Sequence, residues 1–236
     1  MPLNWQATIA RQYPLARPIS KQRKQLRQWL QNEHGVQIAT TLRATSFCAD
    51  DIIASKILGR SASGPFTAGG LGGLPYGGVT AFSAFAHHVP DGGTALILYG
   101  PHIGITRDGQ WGKLLRRGQK QVTKACGSLM AALKALRAGK PTNCPLAADD
   151  DDLQQSRLVQ LLAPRRQRIL AAASPELEVT EAAYDLSHAM ISRLVARVRK
   201  QFHCRAVALV GGVAINTDPD QEDWFEIRHQ SCFTVG

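Results

Sequence analysis

The run Thr94-Ala-Leu-Ile-Leu-Tyr99 is apolar almost throughout, has the length of a strand, and lies between Gly92-Gly93 and Gly100. A strand with apolar side chains on both faces must be covered on both, which is the pattern of a parallel sheet layered between helices. Residues 39–47 and 206–215 are further β-branched, apolar segments, and residues 224–235 read as a last strand. Between them, residues 19–33, 79–88, 121–136, 153–162, 165–173 and 180–202 carry helical patterns, with Ser20 as the expected N-cap and Gly35 as the stop of the first. Strands and helices alternate, so the expected fold is α/β, a mostly parallel central sheet flanked by helices. At 236 residues one domain spanning 1–236 accommodates this order. Residues 1–38 are then a helical N-terminal extension. Residues 141–152, with two prolines and four consecutive aspartates, are an exposed connector.

The segment Thr67-Ala-Gly-Gly-Leu-Gly-Gly-Leu-Pro-Tyr-Gly-Gly78 holds six glycines and a proline, which forbids regular helix or strand and lets backbone approach something closely. It lacks the strand, acidic residue and helix context of a dinucleotide loop. No Walker-type loop, Cys-x-x-Cys pair or His-Glu-x-x-His motif occurs anywhere in the sequence. The net charge of +10 is spread over several helical segments without a nucleic-acid-binding motif, so it reads as solvated helix faces and a steering field for a small anion. No nucleic-acid partner is expected. The N-terminal residues contain no continuous apolar core of a signal peptide, and no stretch approaches the ~20 apolar residues of a membrane span. The expectation is a cytoplasmic protein with no membrane partner.

Five cysteines are too few and too irregularly spaced for a disulfide scaffold. Cys48 closes the strand-like segment 39–47, just before an expected helix at residues 52–58. His87 and His88 occupy the last turn of the helix at 79–88, before the Pro90-Asp91-Gly92-Gly93 turn. Cys126 shares a helical apolar stripe with Val122, Leu129, Leu133 and Leu136, so it points inward. Thiolate and imidazole are common zinc donors, and a catalytic zinc site takes three protein ligands and leaves a place for water. Each of these residues alone is equally well a small core residue or a helix-end cap. Cys144, Cys204 and Cys232 lie outside this region and read as structural.

Taken in order, Cys48-Ala-Asp50-Asp51, Gly69-Gly-Leu-Gly-Gly-Leu-Pro-Tyr-Gly-Gly78, Phe85-Ala-His-His-Val-Pro-Asp-Gly-Gly93, Leu98-Tyr-Gly-Pro-His-Ile-Gly104, Arg116-Arg-Gly118 and Ala125-Cys-Gly-Ser128 resemble the limiting-CO2-inducible protein B/C family. That family is also described as a theta class of carbonic anhydrases, similar in fold and site to the beta class. Ala208-Leu-Val-Gly-Gly-Val-Ala-Ile-Asn-Thr217 extends the likeness, and nothing before residue 40 adds to it. The resemblance implies a beta-carbonic-anhydrase-like fold and reversible hydration of CO2 to bicarbonate, its small-molecule partners. It also implies a homodimer and one Zn2+ held by two cysteines and a histidine.

By position the ligands are Cys48, His88 and Cys126, with His88 preferred to His87 because it directly precedes Val-Pro-Asp. Cys48-Ala-Asp50 matches the first half of the beta-class Cys-x-Asp-x-Arg motif. Residue 52 is isoleucine, so the arginine that partners Asp50 comes from elsewhere: Arg60 is the first choice, with Arg116 and Arg117 as alternatives. Zinc lowers the pKa of bound water from ~15.7 to about 7, and Asp50, kept ionised by the arginine, would orient the resulting nucleophile. The glycine segment and the helix at 79–85 are expected to wall the CO2 pocket. His102 is read as a structural residue of the Gly-Pro-His turn, with proton relay as the other option. A non-catalytic CO2- or bicarbonate-binding protein on the same fold is the alternative function.

Overall fold

The computed structural model describes residues 4–51, 62–139 and 150–235. In chain order its helices are α1 (Trp5–Gln12), α2 (Ile19–Gln28), α3 (Gly78–His88), α4 (Gly127–Arg137), α5 (Leu153–Leu162), α6 (Arg166–Ala171) and α7 (Pro175–Val198). The strands are β1 (Arg17–Pro18), β2 (Thr41–Phe47), β3 (Ser63–Thr67), β4 (Thr94–Gly100), β5 (His102–Gly104), β6 (Lys113–Leu114), β7 (Thr123–Lys124), β8 (Ala206–Asn216) and β9 (Trp224–Thr234). The main sheet runs β1-β9-β8-β4-β2-β3, with β5 continuing alongside β8. Pairing is parallel from β3 through β2 and β4 to β8, and antiparallel where β9 joins β8 and β1 joins β9. The fold is therefore α/β, with a mostly parallel sheet between helices. The expected helix at residues 52–58, Arg60, and residues 141–149 of the connector lie outside the described residues.

The side chains of β4 explain why it sits in the middle. Ala95, Ile97 and Tyr99 face the core shared with α3 and α7, while Leu96 and Leu98 face the core beneath α2. All seven residues of the strand are buried, and each large aliphatic side chain removed from water contributes about 1.5–3 kcal/mol. The N-terminal segment is built into this arrangement: Ile9, Tyr13, Leu26 and Leu30 are fully enclosed, and β1 pairs Arg17 and Pro18 with β9. This pairing starts α2 at Ile19, and the Ser20 amide donates to Glu222 Oε1 at 2.7 Å rather than Ser20 itself capping the helix. The long helix starts at Pro175, five residues before the expected start. Proline at the first turn, with Glu176 and Glu178 beside it, is a favourable N-terminus that the hydrophobic stripe alone does not mark. Among the described residues no helix is long and apolar enough to cross a membrane.

One backbone feature places the site. Gly100 closes β4 at φ +145°, and a Cβ there would meet the carbonyl oxygen of Gly212 at 1.8 Å. Only glycine allows the two strands to approach this closely while the chain steps sideways. After Pro101 it resumes as β5, with His102 paired to Ala214 on β8. The ends of β2, β4 and β8 thus open on the same edge, the carboxyl edge, where sites of open α/β sheets form.

Candidate metal centre

Cys48 directly follows β2, His102 opens β5, and Cys126 is the residue before α4. All three are buried, at 4%, 1% and 0% exposure. The sulfurs of Cys48 and Cys126 are 3.3 Å apart. Together with a nitrogen of His102 and a carboxylate oxygen of Asp50, they form a group of ligand atoms that all lie within 4.8 Å of one another. Cys126 was expected inside a helix. Instead it has extended backbone and serves as the N-cap: its carbonyl accepts from Met130 N at 3.1 Å, and the next amide, Gly127, donates to Asp50 Oδ2 at 2.9 Å. The positive end of α4 therefore faces the Asp50 carboxylate, which favours its anionic form.

The glycine segment supports the sulfurs from behind. Gly72 adopts φ +67°, and a Cβ would press on Leu158 at 2.9 Å. In this conformation its amide points at Cys48 Sγ at 3.2 Å and at Ser128 Oγ at 3.1 Å, while Ser128 Oγ lies 3.0 Å from Cys126 Sγ. The close backbone approach predicted for the glycines is thus an approach to a ligand atom. α3 buries Phe82 and Phe85 in the core, and the cavity beside Asp50 is lined by other segments. That cavity, of about 250 Å3, reaches Asp50 and is walled by residues 114–117, by Asn216 at the end of β8 and by the loop that follows, including Thr217.

The electrostatics of the group call for a cation. The hydrogen bond with Cys126, then burial, push the Cys48 thiol far above its usual range. Burial alone would lower His102, but Asp51, the hydrogen bond to Asp50 and Cys48 outweigh it and hold the imidazole well above its ordinary value. Burial raises the Asp50 carboxyl too, yet its contact with His102 and the Gly127 amide bring it well below the ordinary carboxylate range. The His102 ring is hydrogen-bonded to the Asp50 carboxylate beside the two sulfurs. A divalent cation removes the reason for the raised thiol, because both sulfurs can then ionise toward it. Two thiolates and one imidazole, with backbone and hydroxyl donors to the sulfurs, are a donor set that fits zinc.

Of the residues expected to meet, Cys48, Asp50 and Cys126 do so and His88 does not. His88 is exposed on the last turn of α3, where its Nδ1 contacts the carbonyl of Ala84 at 2.6 Å. The reason is directional: α3 leads into the amino end of β4, whereas the cysteines lie at the carboxyl edge, so His88 is displaced by about a strand length, on the order of 20 Å. His87 is exposed beside it, near His203. His102, read from sequence as a turn residue, stands in the place expected for His88. Its position straight after the buried strand, like that of Cys48 after β2, is the signal that could have found it. Arg60 lies outside the described residues. Arg116 is the arginine seen near Asp50: Nη2 lies 3.8 Å from Oδ2, and Nη1 donates to Thr123 Oγ1 at 2.6 Å and to the Lys124 carbonyl at 3.1 Å.

No curated protein matches the sequence. Among solved structures, PtLCIB4, a homolog of the limiting CO2-inducible protein LCIB, is 29% identical, with 98% of this chain and 96% of that one covered and a TM-score of 0.89. The limiting CO2-inducible protein LCIB itself is 21% identical over 95% of this chain and 92% of that one, with a TM-score of 0.70, a likeness of fold. The profile of the limiting CO2-inducible proteins B/C beta carbonic anhydrases matches residues 17–234, a span that takes in every strand of the main sheet and Cys48, Asp50, His102 and Cys126. With its carboxyl-edge cysteines and histidine inside that span, this chain belongs to the limiting CO2-inducible protein B/C family of beta carbonic anhydrases.

Proposed function

We propose that the protein hydrates CO2 reversibly, CO2 + H2O ⇌ HCO3− + H+, using zinc held by Cys48, His102 and Cys126. The observation that carries this reading is the convergence of those three donors with Asp50, all within 4.8 Å. Zinc, when bound, supplies the acidity that makes water a nucleophile near neutral pH.

The chain's own residues do the rest. Asp50 has an oxygen within reach of each ligand and so has two possible tasks: closing the site as a fourth donor, or accepting a hydrogen bond from the attacking water and aligning its lone pair with CO2. The Gly127 amide and Arg116 both draw on Oδ2. They keep the carboxylate ionised and favour the second task. The cavity beside Asp50 combines Leu114, Leu115 and Pro219 with Arg116 and Arg117. Apolar wall suits CO2, and guanidinium suits the departing bicarbonate.

Metal analysis of the purified protein should find about one zinc per chain, and stopped-flow CO2 hydration should show turnover that Cys48→Ser abolishes. Equal, negligible rates for the two proteins sink the enzyme reading and leave the non-catalytic binding protein. Replacing Arg116 by alanine frees Asp50 Oδ2; kcat/KM is expected to fall about 10- to 100-fold with zinc content unchanged. Undiminished activity assigns the arginine's task elsewhere.

We also propose a homodimer. Of the eleven residues of β9, only Trp224 and Phe225 are paired by β1 on the outer side among the described residues. A long open edge of this kind is usually covered. Light scattering at micromolar concentration should give twice the chain mass, and a monomeric mass contradicts it.

A further inference from the structure

Asn216 ends β8 at 3% exposure, and its side chain bridges two groups. Oδ1 lies 2.6 Å from Nδ1 of His102, and Nδ2 lies 3.4 Å from Oδ1 of Asp51. A carboxylate can only accept, so the half of the amide turned toward Asp51 is its NH2 group, and the carbonyl oxygen is left for His102. That oxygen likewise only accepts, which requires the hydrogen of the ring to sit on Nδ1. The lone pair of the neutral imidazole is then on Nε2, the nitrogen that faces Asp50.

We infer that Asn216, turned by Asp51, is a positioning residue that holds His102 in the Nδ1–H form so that Nε2 is the atom offered to the metal. The inference rests on the metal-centre reading above and extends it to the groups behind the ligand. Its backbone is suited to the task. Parallel pairing with Gly104 and a bond from the Ile105 amide to the Asn216 carbonyl, at 2.9 Å, anchor the strand end beside β5. An amide also differs from the carboxylate that often backs a metal-bound histidine. Two thiolates already balance a divalent ion, and a neutral partner orients the ring without adding a further negative charge.

The test measures zinc affinity of the whole chain by competition with a chromophoric chelator, together with the 15N shifts of the His102 ring. In Asn216→Leu the affinity is expected to fall about 10- to 100-fold, with loss of the Nδ1–H signature. In Asn216→Asp, where an acceptor is restored, affinity should return to within about threefold of the parent and the signature should persist. If Asn216→Leu fails to fold, Asp51→Ala decides: it frees the amide to turn without emptying the strand end and should weaken zinc about tenfold. Affinity and tautomer unchanged in the folded variant overturn the inference while leaving the metal centre standing. Failure of the unaltered protein to take up zinc overturns the metal-centre reading, and this inference with it.

Discussion

Replacing His102 by alanine is expected to weaken zinc binding on the order of 10^3-fold, whereas the same change at His88 leaves it within about twofold. The contrast follows from placement. His102 is almost fully enclosed between Asp50 and Asn216, with the two sulfurs close by, and no other described histidine belongs to that group. Without its imidazole the group offers two sulfurs where a catalytic zinc site takes three protein donors. His88 is exposed, its Nδ1 lies against the Ala84 carbonyl of its own helix, and its ring centroid is 6.3 Å from that of Phe66. Chelator competition on both variants checks the pair of outcomes. A loss of zinc in His88→Ala with retention in His102→Ala would return the site to the sequence-based assignment.

The second large effect is on turnover. Asp50→Asn is expected to lower kcat/KM by about 10²- to 10³-fold while zinc content stays near that of the parent protein. An amide of the same shape still fills the space, yet it is neutral and can turn a donor toward the attacking water, so the orienting acceptor is lost. Stopped-flow hydration with parallel metal analysis separates this from loss of the ion, and an unimpaired rate removes Asp50 from the mechanism.

The metal-free protein provides an independent readout of the same carboxylate. Because the folded Asp50 pKa is depressed, its contribution to stability is present above the unfolded value of about 3.9 and is lost as pH falls toward the folded one. His102 has the opposite sign. Its folded pKa is raised, so its contribution is full below about 6.5 and is lost as pH climbs through the folded value. Asp50→Asn should therefore flatten the acid limb of the metal-free stability profile.

Much of the architecture can be read along the chain. The uninterrupted apolar run at β4 implies cover on both faces, and its alternate residues do enter two different cores. Cys48 at a strand end and Cys126 turned inward were both legible, because each depends on local pattern. The start of α4 was misjudged because Val122 continues the stripe on paper, while Thr123 and Lys124 pair with β6 and hold the chain extended up to Cys126. The cavity wall contributed by residues 216–223 was not legible at all, since nothing near Asp50 in sequence announces a loop more than 160 positions away.

The sequence by itself determined β2, β4, β8 and β9, that the sheet is mostly parallel, and that Cys48 and Cys126 are inside, whereas β1, β3 and β5 were not legible in it. The choice between His88 and His102 belongs to the tertiary structure. Local patterning specifies where a strand begins and ends, but strand order and direction decide which ends meet. Here β2, β4 and β8 lie side by side and point the same way. Their carboxyl ends therefore bring Cys48, His102 and Asn216 to one place, while His88 stays at the far end of the sheet.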